Sequence, residues 1–110
     1  MKVEDVLPVV AKMVGATRGD MGMCYWLDGA EWNPLKYSEC AIHLAAMFGI
    51  VVDLSGMVSP FPVCCASWGN GKVYHEEEAS HRGDIAAINN AIVKCVYKIW
   101  GYQNEYQTTH

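Results

Sequence analysis

Two stretches of this chain are written in one helix grammar, and everything between them reads as strand and turn. That order limits the possible folds more than any single residue does. Tyr37-Ser38 opens Ala41-Ile42-x-Leu44-Ala45-Ala46-x-Phe48, which stops at Gly49 and passes at once into the β-rich Ile50-Val51-Val52. Gly83-Asp84 opens Ile85-Ala86-Ala87-Ile88-x-x-Ala91-Ile92, and the stripe continues through Cys95, Val96 and Ile99 to Trp100, with Gly101 as its stop. Apolar residues at helical spacing behind a polar cap, closed by glycine, predict two capped amphipathic helices.

The rest of the chain fills in around them. Glu4 to Val14 carries Val6, Leu7, Val10, Met13 and Val14 near helical spacing, so a first helix is predicted, with Pro8 tolerable only in its first turn and Gly15 as its end. Gly15 to Asn33 mixes glycine, methionine and aromatics and reads as an extended or looped segment. Ile50, Val52 and Leu54 alternate with Val51, Asp53 and Ser55, a strand with one wetter face. Val63 to Trp68 and Lys72 to Glu77 flank Gly69-Asn70-Gly71, a hairpin signal because each turn residue tolerates positive φ. The predicted order is α-α-β-β-β-α, an α+β domain with a three-stranded antiparallel sheet packed with helices. Residues 1–101 make the single domain, and residues 102–110 are expected to be a frayed polar tail.

A chain of 110 residues holds one core. With 52% hydrophobic and only 18% charged residues, it predicts a folded globule with apolar area left for a partner, and a homodimer burying about 1,000 Å² or more in total follows as an expectation. A net charge of -4 excludes non-specific nucleic-acid binding through a basic surface. Met1-Lys2-Val3-Glu4-Asp5 lacks a secretory pattern, and no run reaches the ~18 apolar residues of a membrane span, so a cytoplasmic protein is expected. Five cysteines, an odd number spread over helix and strand positions, predict reduced thiols.

Residues with chemistry to offer do not fall into an organised motif. Cys40 and His43 lie three apart on a helix, and Cys64, Cys65, His75 and His81 add donors, but no C-x-x-C or H-x-x-x-H spacing points to zinc. His75-Glu76-Glu77 matches H-x-E, yet Pro62-Val63-Cys64-Cys65 comes before it, with adjacent cysteines, against the order of the zinc deaminases. Cys24 in its glycine-rich surroundings is the best nucleophile of the five, with no base placed beside it. Glu76, Glu77, Glu78 and Asp84 suit a solvated edge strand and an N-cap better than a cation site. Arg18-Gly19-Asp20 and Arg82-Gly83-Asp84 repeat an adhesion tripeptide that has no use in a reduced cytosolic chain. Among the aromatics, Trp32 and Trp68 suit a core, whereas Tyr25 and Trp26, beside Met21 and Met23, suit an interface.

Pro8-Val9-Val10-Ala11-Lys12-Met13-Val14-Gly15, Tyr37-Ser38-x-x-Ala41 opening a helix that ends in Gly49, and Ala86-Ala87-Ile88-x-x-Ala91-Ile92 together resemble the phage ABA sandwich domain, a group of small phage and prophage proteins. The resemblance spans most of the chain and implies an αβα layer and a phage origin. It carries no catalytic motif to transfer to any residue here. Cys64-Cys65, the Glu76 to Glu78 run and the tyrosine-rich tail depart from the pattern.

The resulting expectation is a small phage-encoded, non-enzymatic binding protein without a cofactor. It is expected to occupy a host protein, such as a nucleic-acid-binding component of a CRISPR or other antiviral defence, and to touch neither nucleic acid nor membrane itself. Its contact residues are expected to be Met21, Met23, Tyr25, Trp26, Glu76, Glu77 and Glu78. The alternative is a small metal protein or enzyme built from Cys, His and Glu groups that folding brings together.

Overall fold

The structure, a computed structural model, describes residues 2–19 and 24–108. Its elements run α1 (Val3–Val14), β1 (Thr17–Arg18), β2 (Tyr25–Leu27), β3 (Ala30–Trp32), α2 (Ser38–Phe48), β4 (Val51–Asp53), a 3-10 turn (Ser55–Val58), β5 (Val63–Trp68), β6 (Val73–Glu78) and α3 (Ile85–Thr108). Among the described residues this is an α+β fold of three helices and two three-stranded antiparallel sheets, ordered β1-β2-β3 and β4-β5-β6.

Helix ends follow the backbone rules expected of them, with one substitution of means. At the end of α2 Gly49 takes φ 68°, its N–H reaches the Ala46 carbonyl, and the Ile50 N–H reaches that of Ala45, so the last carbonyls are satisfied as the chain turns into β4. Asp84 caps α3 as expected, accepting the Ala87 N–H on Oδ1 at 3.4 Å and the Ser80 N–H on Oδ2 at 2.9 Å. No side chain caps α2, however. Asn33 instead gathers the preceding turn, its Oδ1 accepting the Leu35 and Lys36 N–H groups and its carbonyl the Tyr37 N–H. Pro8 lies inside α1, beyond the first turn, on an exposed position where the helix forgoes one ladder bond.

Helix α3 is the wall that two apolar cores share. Ile92, Val93 and Val96 close on Val6, Val10 and Ala11 of α1, Ala41 and Leu44 of α2, and Trp32 of β3. The adjoining face, with Ala91, Cys95 and Ile99, closes on Met57, Cys64, Ala66 and Val73. Phe48, Ile50, Val52 and Ile88 border both clusters, so the two cores are continuous around one helix.

Beyond the uncapped start of α2 and the position of Pro8, the structure corrects the sequence-based expectation in three further places. The segment expected to be extended or looped between Gly15 and Asn33 contains a small antiparallel meander, whose last turn is Asp28-Gly29 with φ 52° and 81°. The αβα layer is not formed as a single sandwich. On the second sheet Cys64, Ala66 and Val73 face α3, while the opposite face carries Val51, Asp53, Tyr74, Glu76 and Glu78 exposed, with no helix packed on it among the described residues. Finally, Gly101 does not stop α3, which continues to Thr108. The reason is local packing: Tyr102 stands edge-on against Trp68 with ring centroids 5.9 Å apart, so the helix still has a surface to bury past the glycine.

Candidate functional site

Strand alternation builds the exposed face of the second sheet. The β5–β6 hairpin closes through Gly69-Asn70-Gly71, all three at positive φ, in the register Trp68↔Val73 to Val63↔Glu78. That register puts Cys65 opposite Glu76 and Ser67 opposite Tyr74, and β4 adds Asp53 beside Cys65 and Val51 beside Ser67. Tyr74 Oη donates to Glu76 Oε1 at 2.6 Å and lies 3.1 Å from Cys65 Sγ. Cys65 and the Glu76 carboxylate hold the phenol proton, which raises the Tyr74 pKa well above the ordinary phenol range. Tyr74 therefore stands as a hydrogen-bond donor on this face.

Exposed apolar side chains lie on and beside this face: Val51, 65% exposed, is on it, and Phe61, 87% exposed, sits next to Glu76 and Glu78, with Leu54 and Val58 also exposed in the connection between β4 and β5. Pro60, Phe61, Pro62 and Val63 line a groove of about 490 Å³ together with Glu76 and Glu78. Sequence reasoning found the glutamates but assigned Leu54 to the covered side of a strand and passed over residues 55–62 as a connection. Prolines on both sides of Phe61 keep that stretch out of a regular ladder, but they leave open whether the ring is buried or exposed.

Glu77, grouped with Glu76 and Glu78 on the sequence, points the other way, between β6 and α3. Lys94 Nζ donates to both of its oxygens at 2.8 and 3.0 Å, and His75 Nε2 sits 2.8 Å from Oε1. An ionised carboxylate only accepts, so Nε2 carries the proton, and the buried Nδ1 has no partner among the described residues. Burial, with Lys98 and Lys94 nearby, holds the His75 pKa below its ordinary value against the opposing pull of Glu77. Burial pushes the Glu77 pKa up, and the Lys94 and His75 bonds overcome that and leave it lowered. This trio clamps the strand to the helix, and it removes Glu77 from the exposed acidic set.

The aromatic positions proposed from sequence as contacts sit on the first sheet. Met21 and Met23 lie outside the described residues. Tyr25 is half-buried, edge-on to Trp32 at 6.4 Å, with the Arg18 guanidinium 5.9 Å above its ring. Trp26 is 44% exposed, and Trp32, at 3%, belongs to the core. The described part of the expected contact set therefore falls into two groups on different sheets, Tyr25 and Trp26 on one, Glu76 and Glu78 on the other.

Cys24 meets the Glu31 carboxylate, whose hydrogen bond and negative charge disfavour the thiolate. A hydrogen bond to Glu31, then desolvation and the Glu31 charge, raise its pKa, and Glu31 in turn accepts from Tyr37 Oη at 2.8 Å. Burial raises the Cys64 and Cys95 thiols to about 11. A thiol so held stays protonated at neutral pH and is a poor nucleophile. Cys24→Ser should accordingly leave stability within about 0.5 kcal/mol and leave partner binding unchanged, as read by urea melts and by the capture assay described below. Among the described residues no group of three or more His, Cys, Asp or Glu side chains is placed to hold a metal ion, and no helix is long and apolar enough to cross a membrane.

Compared with known proteins, the chain matches no family model, no curated protein and no solved structure.

Proposed function

We propose that this chain is a small non-enzymatic binding protein that docks a basic partner protein on the open face of its second sheet. The observation that carries the reading is the pairing, on a face with no helix packed on it among the described residues, of exposed Val51 and Tyr74 and the adjoining Phe61 with the exposed carboxylates Asp53, Glu76 and Glu78. Apolar contact supplies affinity, and the carboxylates select a positively charged surface and speed its arrival. The resemblance to the phage ABA sandwich group supports a setting in which a phage-encoded factor occupies a host antiviral defence protein, whose nucleic-acid-binding surface would be basic.

The test is capture from a bacterial host lysate on immobilised protein, followed by affinity measurement with the captured partner. Phe61→Ser is expected to weaken binding about 30-fold, equivalent to about 2 kcal/mol. Glu76→Lys is expected to slow association more than it speeds dissociation. Trp26→Ala, on the other sheet, should retain the partner. Binding that survives Phe61→Ser and Glu76→Lys but is lost in Trp26→Ala would overturn the assignment and return the contact to the first sheet. Light scattering tests the other occupant, a second copy: a mass twice 12.2 kDa that reverts in Phe61→Ser would give the face to a homodimer.

A further inference from the structure

The hydrogen bonds around β6 show which of its backbone groups are spoken for. The Ala79 N–H reaches the Pro62 carbonyl at 2.9 Å, continuing the β5–β6 ladder, whereas the Tyr74 carbonyl faces away from β5 and accepts from Lys98 Nζ at 3.3 Å. In an antiparallel ladder both backbone groups of a residue point to the same side and alternate along the strand. The odd positions Val73, His75 and Glu77 therefore bond to β5, and the even positions Tyr74, Glu76 and Glu78 aim their N–H and C=O groups outward. Strand β6 is an edge of its sheet, and no further strand pairs with it among the described residues.

This edge is polarised along its length. Lys72 and Lys98, with Tyr97, Trp100 and a single carboxylate, Glu105, of α3, line a groove of about 430 Å³ beside the start of the strand. Glu76 and Glu78, both exposed, stand at its end. A second copy of β6 pairing antiparallel about Glu76 would set Glu76 against Glu76, whereas pairing about His75 would set Lys72 against Glu78, so a β6–β6 pair that quenches the peptide's effect is the competing outcome of the test below. A strand with basic residues two apart would instead place each one opposite Glu76 or Glu78 on the open face, while the residue between them turns toward α3.

We propose that the β6 edge takes up an extended segment of the basic partner as an additional strand, with a Lys-x-Lys pattern opposite Glu76 and Glu78 and an aromatic residue toward Trp100. This deepens the binding reading above and rests on it. Main-chain bonds to the outward groups of Glu76 and Glu78 fix the register, and the carboxylates choose the sequence.

The experiment uses a short synthetic peptide carrying Lys-Val-Lys followed by tyrosine, titrated into the full chain and followed by amide resonances and amide hydrogen exchange. The expected result is shifts concentrated at Glu76 and Glu78, with exchange of their amides slowed about tenfold at saturation. A peptide with the same charge but N-methylated at the paired amides should bind at least about tenfold more weakly, and Glu76→Lys with Glu78→Lys should abolish binding of the parent peptide. Equal binding of the two peptides, or no binding by either, overturns the strand-addition proposal. Peptide shifts confined to Val51 and Phe61 would do the same while leaving the open-face reading standing. Edge protection together with full partner binding by Phe61→Ser would do the reverse.

Discussion

Truncating Ile99 or Leu44 to alanine is expected to cost about 3 kcal/mol of unfolding free energy in each case, and to do so in a single transition. Both side chains are fully buried, Ile99 in the core against the second sheet and Leu44 in the core between α1, α2 and β3. Each substitution removes apolar atoms and leaves a cavity that rigid neighbours on a helix and a sheet cannot fill. Because α3 lines both cores, loosening one side costs the other its wall. Urea melts followed by tryptophan fluorescence and by far-ultraviolet circular dichroism should therefore coincide for both variants. Two separated transitions, with Ile99→Ala lowering only one of them, would show that the cores melt independently.

Removing the carboxylate of the strand–helix clamp is the second large effect. Glu77→Gln should destabilise the fold by about 2 kcal/mol at neutral pH, less than a fully buried pair would lose because water reaches one side of the trio. The loss comes mainly from leaving the Lys94 ammonium, whose side chain is 12% exposed, without its counter-charge. The pH dependence has two parts. The Glu77 pKa is lowered in the fold, so its contribution is present above the ordinary carboxylate value of 4.5 and is lost as pH falls through the folded value. The His75 pKa is also lowered, so below its ordinary value of 6.5 the unfolded chain takes up a proton that the folded chain resists, and stability declines there first. Urea midpoints taken from about pH 8 down to about pH 2.5 should fall in both steps for the native chain. Glu77→Gln should make the lower step smaller, the remainder belonging to Glu31, Asp53 and Asp84, whose carboxyls are also lowered. A His75→Phe variant that still weakened between about pH 7 and pH 5 would show that another group drives the upper step.

What could be read in advance depended on whether the governing interactions were local. Helix α2 was legible to the residue because its apolar spacing and Gly49 lie within one segment, and the β5–β6 hairpin was legible because Asn70 and its flanking glycines set the turn by themselves. The first sheet was missed although Asp28-Gly29 is a two-residue hairpin signal, since β2 and β3 are only three residues each and give too little alternation to notice. The far end of α3 was misread for the opposite reason. Gly101 is a local stop signal, overridden by a contact between Tyr102 and Trp68 that only the folded chain creates. The candidate site divides the same way. A run of three glutamates is visible in sequence, but that Glu77 turns inward to Lys94 while Glu76 and Glu78 turn outward follows from strand parity and from where α3 lies. The exposure of Phe61 depends on where the helices pack, which no local pattern encodes.

The shared wall has a consequence for how the protein is made. Helix α3 follows every other element in the sequence, so while the chain leaves the ribosome both cores stay open until residues 85–99 have been synthesised. The nascent α1, α2 and both sheets can form local turns, yet they have nothing to close against, and Leu44, Val10, Cys64 and Ala66 remain wet. At the ordinary pace of translation that interval lasts seconds, long enough for the exposed strands to meet chaperones or one another. A message cut short before residue 85 would leave a chain with two half-cores and no means of joining them, a substrate for proteolysis and not a smaller working domain.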